Sequence, residues 1–377
     1  MNKRTISDER KDIMGKKTIE ELDKNFAATK VEHEGLKFFD MLSEPFKIYG
    51  VTPPTDNCEY YIRMPQEIAD TVNENVSYLC KNPSGARLRF KTTSKRILLK
   101  YSGTVYDGNM HIPFTGSSCF DLYVGDQYIK PFMPDTPLKV IGTDDQPEYL
   151  ESMLNIQQDG LNDITINFPL YNCVKELYIA LDQDAIVQAP DEYLPIKPIV
   201  IYGSSITQGG CACHAGNSYA NIISRRLNCD ILNLGFSAGC HAEMEMCDYI
   251  SSLDMSMLVY DYDHNAQNTQ ELIDNHERFF KAFRKSHPDI PVLIISSVER
   301  TFGEVVTAER RAVIKRTYEN AAAAGDKNVY FLDGQSVFAD VGYEYCTVDA
   351  LHPNDLGFWC MANSIGAEIQ KIIFERK

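Results

Sequence analysis

The second half of the chain, from about residue 199, alternates short apolar runs with amphipathic stretches. Continuous apolar runs are typical of parallel strands covered on both faces, and the stretches between them have helical length. This alternation predicts a three-layer α/β/α domain whose functional site lies at the carboxyl ends of its strands. The predicted strands are 199–202, 231–234, 257–262, 292–296 and 329–332, and the predicted helices are 217–227, 242–252, 270–285, 308–324 and one after Asn354.

The first half has a different pattern, in which apolar and polar residues alternate within short segments. Turn residues such as Asn82-Pro83-Ser84-Gly85 separate these segments, which is typical of a β-sandwich. The clearest segments are 87–92, 96–101, 120–124, 163–168 and 174–179. Prolines at 195 and 198 mark the change of pattern. We therefore predict a charged lead-in over residues 1–35, a jelly-roll-like β-sandwich over 36–194 and the α/β domain over 195–377.

The charge of the chain limits its partners. It carries 37 Lys and Arg against 53 Asp and Glu, a net charge of −16. Such a field repels phosphate backbones and anionic membranes, so we expect neither nucleic acid nor membrane as a partner and favour a small neutral substrate. The polar N-terminus lacks the apolar segment of a secretory signal, and the eleven cysteines show no disulfide framework. These two features predict a cytoplasmic protein with free thiols.

Four polar segments fall at the ends of predicted strands or just before the last helix. They are GSSITQG at 203–209, NLGFSAG at 233–239, DYDHNA at 261–266 and DALHPN at 349–354. A serine hydroxyl needs an adjacent base to become a nucleophile, and Ser205 on a glycine-flanked turn has His352 as its candidate base. Asp349 lies three residues before His352 and is placed to orient the imidazole. The Asn265 amide, the Ser205 N–H and an N–H in the second segment are candidate donors to an oxyanion.

This order of segments resembles the SGNH/GDSL hydrolase family, whose blocks contribute Ser, Gly, Asn and an Asp-x-x-His pair. The resemblance covers about residues 196–377 and implies a flavodoxin-like hydrolase domain. It implies that Ser205 is the nucleophile, that Asn265 is an oxyanion donor and that Asp349 and His352 form the relay. The β-domain ahead of it is similar to that of two-domain bacterial members, among them carbohydrate esterases.

Two positions depart from the family pattern. Ser204 stands where the first block commonly has Asp, a position outside the catalytic four. The oxyanion Gly of the second block falls on Ala238, with Gly239 next to it. Only a backbone N–H is required there, so Ala238 serves if its φ is negative, whereas a positive φ favours Gly239. We expect Ala238, with Gly239 as the alternative register.

A rival nucleophile lies in the same stretch, because residues 235–239 match the G-x-S-x-G elbow of α/β-hydrolases. In that interpretation Ser237 is the nucleophile and His352 remains the base. Three observations weigh against it: no His-Gly-Gly-Gly segment precedes it, only one earlier strand of the sheet fits upstream, and Ser205 and Asn265 would have no role.

Other polar residues have simpler explanations. The Cys211-Ala212-Cys213-His214 segment lacks a second Cys/His pair to complete a zinc site, so we expect no metal. Asp261 and Asp263 are expected to shape their loop by hydrogen bonding. Arg63, Arg87 and Arg89 are candidates to face the cleft, although surface ion pairing is the default expectation.

Together these features predict a serine esterase that acts through an acyl-serine intermediate without metal or organic cofactor. The carbohydrate-esterase resemblance implies that its substrates are O-acetylated oligosaccharides. A lipid or thioester acylhydrolase is the alternative enzyme, and it requires a long apolar groove. A glycan-binding protein with a decayed hydrolase domain is the non-catalytic alternative.

Overall fold

Antiparallel sheets form the first half of the chain, and a parallel sheet forms the second. The computed structural model describes residues 22–23, 26–103, 110–136, 140–298 and 304–375. Most of the predicted lead-in, residues 1–21 and 24–25, therefore lies outside the described residues. Within the described part, no helix combines the length and the apolar character needed to cross a membrane.

The first half contains two antiparallel sheets that face each other. One has the strand order β1-β9-β4-β7 and the other β10-β3-β8-β5-β6, with β2 beside β3. In chain order the strands are β1 (Leu36–Asp40), β2 (Lys47–Tyr49), β3 (Arg87–Thr92), β4 (Arg96–Ser102), β5 (Asp121–Val124), β6 (Gln127–Pro131), β7 (Leu150–Asn155), β8 (Asn162–Asn167), β9 (Glu176–Asp182) and β10 (Val187–Gln188).

Alternating side chains of these two sheets build one apolar core. Leu88 and Phe90 of β3 are fully buried against Ile97 and Leu99 of β4, and both pairs sit at every second position of their strands. Because side chains of a strand alternate between its faces, these positions point into the space between the sheets. The predicted β-sandwich is confirmed, and its strongest alternating segments are strands β3 and β4.

The second half forms the predicted α/β/α domain. Its parallel strands run in the order β12-β11-β13-β14-β15, the 2-1-3-4-5 order of flavodoxin-like sheets. The strands are β11 (Ile199–Gly203), β12 (Ile231–Gly235), β13 (Met257–Asp261), β14 (Val292–Ile295) and β15 (Val329–Leu332). The helices of this half are α4 (Ser205–Gln208), α5 (Tyr219–Leu227), α6 (Met244–Ser252), α7 (Thr269–Ser286), α8 (Glu304–Ala323), α9 (Tyr343–Cys346) and α10 (Asp355–Ile369), and the first half contributes α1 (Gln66–Val72), α2 (Glu74–Leu79) and α3 (Phe114–Ser117).

Burial explains why the parallel strands were recognisable. Every residue of β11 and of β13 is buried, since helices cover both faces of the sheet. Helix α7 buries Leu272, Phe279 and Phe283 on one face, and its first turn is capped by Asn268, whose side chain accepts from the Glu271 N–H at 3.0 Å.

Helices α1 and α2 depart from the simple two-part plan. They lie in the segment that we assigned to the sandwich, yet Ala69 and Val76 pack into the same core cluster as Met246 of α6 and Tyr202 of β11. Their turns carry no strong periodic pattern because each helix has fewer than eight residues. The first half of the chain thus supplies part of the core of the second.

Candidate active site

The four polar segments meet in one cavity at the carboxyl edge of the parallel sheet. Ser205 follows β11, Ala238 follows β12, Asn265 follows β13, and Asp349 and His352 precede α10. The cavity has a volume of about 520 Å³. Its lining consists of Tyr78, Leu79, Asn82, His111, Ile112, Tyr171, Ser205, Gly210, Cys211, Ser237, Ala238, Asn265, Asp349, Leu351 and His352.

Ser205, His352 and Asp349 form a continuous chain of hydrogen bonds. Ser205 Oγ lies 2.9 Å from His352 Nε2, and His352 Nδ1 lies 2.8 Å from Asp349 Oδ2. The other carboxylate oxygen, Oδ1, accepts from the backbone N–H of His352 at 2.7 Å and of Leu351 at 3.1 Å. Burial alone would raise the pKa of Asp349, but the hydrogen bonds from His352 and these N–H groups hold it below its usual value. The carboxylate is therefore ionised and fixed opposite the imidazole.

The turn that carries Ser205 depends on two small residues before it. Ser204 caps α4, because its side chain accepts from the Ile206 N–H at 3.2 Å. Asp is an equally good capping residue, which explains why Ser replaces the more common Asp without disturbing the turn. A Cβ on Gly203 would lie 2.1 Å from Thr207 Oγ1, so the end of β11 accepts only glycine. Ser205 is thus held as the first residue of the helix, with its hydroxyl in the cavity.

Ser205, Ala238 and Asn265, the residues that carry the candidate oxyanion donors, all belong to the lining of this cavity. Asn265 Oδ1 accepts from the Cys240 N–H at 3.2 Å, which fixes the amide plane. Within the described residues, neither the Ser205 N–H, the Ala238 N–H nor Asn265 Nδ2 has a hydrogen-bond partner. These three donors are available to an oxygen atom in the cavity.

In the second block, the residue with a positive φ is also the one whose N–H stays without a partner among the described residues. Our expectation of a negative φ at Ala238 is wrong, because its φ is +52°. The Gly239 N–H nevertheless donates to Phe236 O at 3.0 Å, which closes a turn and occupies this donor. The strained Ala238 conformation is held by its own carbonyl, which accepts from Asn75 Nδ2 at 2.7 Å. The available N–H is that of Ala238 and not that of Gly239.

The rival serine also lies in the cavity but has a different partner. Ser237 Oγ is 2.7 Å from the Tyr171 hydroxyl, and the Ser237 N–H donates to Gln208 Oε1 at 2.9 Å. The imidazole of His352 bonds to Ser205 instead. The geometry of a nucleophile with its base is therefore found at Ser205.

The sandwich half of the chain forms one wall of the cavity, a contribution that the sequence left open. Tyr78, Leu79 and Asn82 come from the end of α2 and the following turn, and Tyr171 follows β8. No local pattern marks these residues, because their position depends on how α2 and the sandwich pack against the α/β domain.

The three arginines considered for the cleft lie elsewhere. Arg63, Arg87 and Arg89 are all buried, and none belongs to the described lining of this cavity. Arg87 pairs with Asp230, and Arg89 lies 3.4 Å from Asp163. The expectation of surface ion pairing is wrong for these residues, because the two halves of the chain bury them between their sheets and helices.

The remaining candidates hold loops in place. His214 Nδ1 lies 2.5 Å from Asp121 Oδ2, which joins the loop after α4 to strand β5. Among the described residues, no group of three or more His, Cys, Asp or Glu side chains is arranged to hold a metal ion. Asp263 forms a buried pair with Arg310 at 2.8 Å and accepts from the Ser297 N–H at 2.9 Å.

Asp261 is buried without a cationic partner of this kind. Its Oδ2 accepts from Thr207 Oγ1 and from the Tyr219 hydroxyl, both at 3.1 Å, whereas its Oδ1 has no partner among the described residues. Burial raises the pKa of Asp261 to about 6, although these hydrogen bonds and His264 oppose the shift. The ionised carboxylate is thus a cost to the folded protein near neutral pH.

We expect Asp261→Asn to raise the free energy of unfolding at pH 7.5 by roughly 2–3 kcal/mol, since one pKa unit corresponds to about 1.4 kcal/mol. The folded carboxyl binds its proton more tightly than the unfolded one, so the cost of the wild-type side chain grows as pH rises from about 4 to about 6 and stays constant above that range. The gain should be small near pH 4, where the folded carboxyl is protonated and the unfolded one is about half protonated. Urea unfolding of both proteins between pH 4 and 8 measures it.

Asp263→Asn is the matched control, because this carboxylate has Arg310 beside it. Removing one member of a buried pair leaves the other charge uncompensated, so this variant should be less stable at pH 7.5. A pH-independent difference between wild type and Asp261→Asn would contradict the assignment.

Two family models match the chain. The model described as the GDSL-like lipase/acylhydrolase family matches residues 196–370, and the model for the N-terminus of SGNH-hydrolase-type esterases, GxDLY, matches residues 36–187. No curated protein sequence matches significantly.

Solved structures with this two-part architecture are similar over most of their length. A protein described as a GDSL-like lipase from Bacteroides ovatus is 24% identical, with a TM-score of 0.77 over 89% of this chain and 98% of that one. The salicylyl-acyltransferase SsfX3 of a tetracycline biosynthetic pathway is 18% identical, with a TM-score of 0.71 over 88% and 96%. The acetyl xylan esterase Est2A of the rumen bacterium Butyrivibrio proteoclasticus is 13% identical, with a TM-score of 0.57 over 89% and 98%. At these identities the likeness concerns the fold.

Proposed function

Because this chain belongs to the GDSL-like lipase/acylhydrolase family and is a serine esterase of that type, we propose that it removes acetyl groups from O-acetylated oligosaccharides through an acyl-Ser205 intermediate. The observation that carries this proposal is the hydrogen-bonded chain from Ser205 through His352 to Asp349, open to a cavity with three unused N–H donors.

The proposed reaction has two half-reactions. His352 Nε2 takes the proton of Ser205 Oγ as this oxygen attacks the ester carbonyl. The resulting oxyanion is stabilised by the N–H groups of Ser205 and Ala238 and by Asn265 Nδ2. His352 then protonates the leaving alcohol oxygen, which leaves acyl-Ser205. Water, deprotonated by His352, attacks this ester and releases the carboxylic acid and free Ser205.

Three observations support an acetylated sugar as the substrate. The cavity wall contains two aromatic residues and one polar residue, Tyr78, Tyr171 and Asn82, beside the apolar Leu79 and Ile112. The cavity volume of about 520 Å³ suits a short acyl group with one sugar unit. The net charge of −16 favours neutral sugars over anionic lipids. The similar fold of an acetyl xylan esterase agrees with this choice.

A substrate panel tests the proposal. Initial rates are measured on p-nitrophenyl esters of two to eight acyl carbons and on acetylated and deacetylated xylo-oligosaccharides with an acetate assay. We expect kcat/KM to fall with acyl length and to be highest on the acetylated oligosaccharides. A rise with acyl length would favour the lipid or thioester acylhydrolase instead. Failure of a fluorophosphonate to label Ser205 would favour the non-catalytic glycan-binding protein.

Asn265→Ala tests the oxyanion donors. Loss of one such donor lowers kcat by about 10²–10³-fold, because it acts on the transition state more than on the bound substrate. We expect KM to change less than about threefold. Both variants are assayed on p-nitrophenyl acetate, which carries no sugar, and Asn82→Ala is the control from the same cavity, since the Asn82 amide nitrogen already donates to Cys173 Sγ at 3.4 Å. Equal losses of kcat in the two variants would argue against the assignment.

A further inference from the structure

Arg63 connects the sandwich half of the chain to the loop that carries Ala238. Its Nη2 donates to Leu79 O at 2.8 Å, and its Nη1 donates to Asn233 O at 3.2 Å and, more closely, to Gly235 O. Leu79 belongs to the cavity wall, and Gly235 is the last residue of β12, directly before the loop that carries Ala238. One guanidinium therefore fixes two sides of the candidate active site.

The charge of Arg63 is buried without a carboxylate. The residue is 2% exposed, and its guanidinium lies 4.3 Å from the centre of the Phe236 ring. Within the described residues, its hydrogen-bond partners are backbone carbonyls and no ion pair forms. Burial lowers the pKa of Arg63 to about 10, which leaves the group cationic at neutral pH. An unpaired buried cation lowers the stability of the folded protein. Here it is hydrogen-bonded to Gly235 O, three residues before Ala238.

Arg87 provides a comparison, because it contacts the first residue of β12 whereas Arg63 contacts the last. It is also 2% exposed and also reaches from the sandwich to β12, where it donates to Ile231 O at 3.3 Å. Ile231 and Gly235 are four residues apart, roughly 13 Å along a strand. Arg87 differs in having Asp230 as a counterion. The end of β12 next to the cavity thus has the uncompensated cation.

We propose that Arg63 is a positioning residue for ester hydrolysis: it holds the Gly235–Gly239 loop against the sandwich and directs a buried positive charge toward the oxyanion. This inference rests on the proposed function, because the oxyanion forms only if Ser205 attacks an ester. The hydrogen bonds keep the Ala238 N–H at its place, and the charge acts through a water-poor interior where electrostatic effects are stronger than in water. Arg63 acts through the loop and does not touch the substrate.

Three variants test this role. Arg63→Met removes the charge but keeps a side chain of similar length, and Arg63→Lys keeps the charge but loses the forked donors of the guanidinium. Arg87→Met is the matched control. Hydrolysis of p-nitrophenyl acetate gives kcat and KM, phenylboronic acid inhibition reports binding of an anionic tetrahedral adduct of the serine, and urea unfolding reports stability. We expect Arg63→Met to lower kcat by about 30–100-fold with KM changed less than about threefold.

The boronic acid affinity should fall in the same proportion in Arg63→Met, whereas Arg87→Met should lose stability but keep kcat within about threefold. Arg63→Lys should lie between wild type and Arg63→Met, and it carries the test if Arg63→Met does not fold. Equal kcat in the Arg63 and Arg87 variants, or a lower kcat with unchanged boronic acid affinity, overturns the inference. Activity that survives Ser205→Ala overturns the proposed function itself, so the two failures are distinguishable.

Discussion

Replacing Ser205 by alanine is expected to lower kcat for ester hydrolysis by at least about 10⁴-fold, because no other hydroxyl is bonded to the imidazole of His352 in the described structure. Residual activity would come from the N–H donors and substrate binding alone. The loss should be accompanied by loss of fluorophosphonate labelling, measured as intact mass, while the fold is retained according to circular dichroism.

Ser237→Ala is the matched control for this prediction. Both serines line the cavity, and both follow neighbouring parallel strands, but Ser237 bonds to Tyr171 and not to His352. This variant should retain kcat within about tenfold. If Ser237→Ala loses activity and Ser205→Ala keeps it, the nucleophile is Ser237 and the G-x-S-x-G interpretation is correct.

Asp349→Asn is expected to lower kcat by about 10⁴-fold while leaving the fold intact. The backbone N–H groups of Leu351 and His352 donate to one oxygen of residue 349 and would hold the carbonyl oxygen of the asparagine there. Its NH₂ would then face His352 Nδ1, which would have to accept. The imidazole would carry its proton on Nε2 and could not take one from Ser205.

A pH series checks this explanation of the Asp349→Asn loss. If the wrong tautomer is the cause, activity should recover at high pH with hydroxide as an alternative base, and Asp349→Glu should retain more activity than Asp349→Asn. A loss of less than tenfold in Asp349→Asn would show that the carboxylate contributes little to orienting His352.

The sequence allowed prediction of those parts of the fold whose cause is local. Strands β11 and β13 are buried throughout, and in β3 the apolar residues that face the sandwich core alternate with polar residues on the other face, so these patterns follow from the environment of each strand. Strand β1 was missed because it is largely exposed and β7 because its pattern is interrupted by Glu151 and Ser152. Helices α1 and α2 were missed because they are stabilised mainly by packing on α6 and β11 and not by their own pattern.

The candidate site likewise contains residues that local sequence predicts and residues that depend on packing between the two halves of the chain. Ser205 and Asn265 stand in segments at strand ends, and Asp349 and His352 share a segment just before the last helix; the topology of a parallel sheet brings such segments together. Tyr78, Tyr171 and Arg63 act across the contact between the two halves, which no segment of sequence describes. At the second block, the turn from Phe236 to Gly239 occupies the Gly239 N–H and leaves the Ala238 N–H without a partner among the described residues, although the positive φ of Ala238 favoured Gly239.

The packing of α1 and α2 has a practical consequence for anyone who wishes to trim or recombine this enzyme. Cutting the chain near Pro195 would remove Ala69 and Val76 from the core that they help to fill and Leu79 from the cavity wall. The remaining α/β domain would expose apolar core residues and lack one side of its cavity. The sandwich half is therefore not an independent domain that can be removed. Any truncated or recombined variant has to keep residues 63–82 together with the α/β domain.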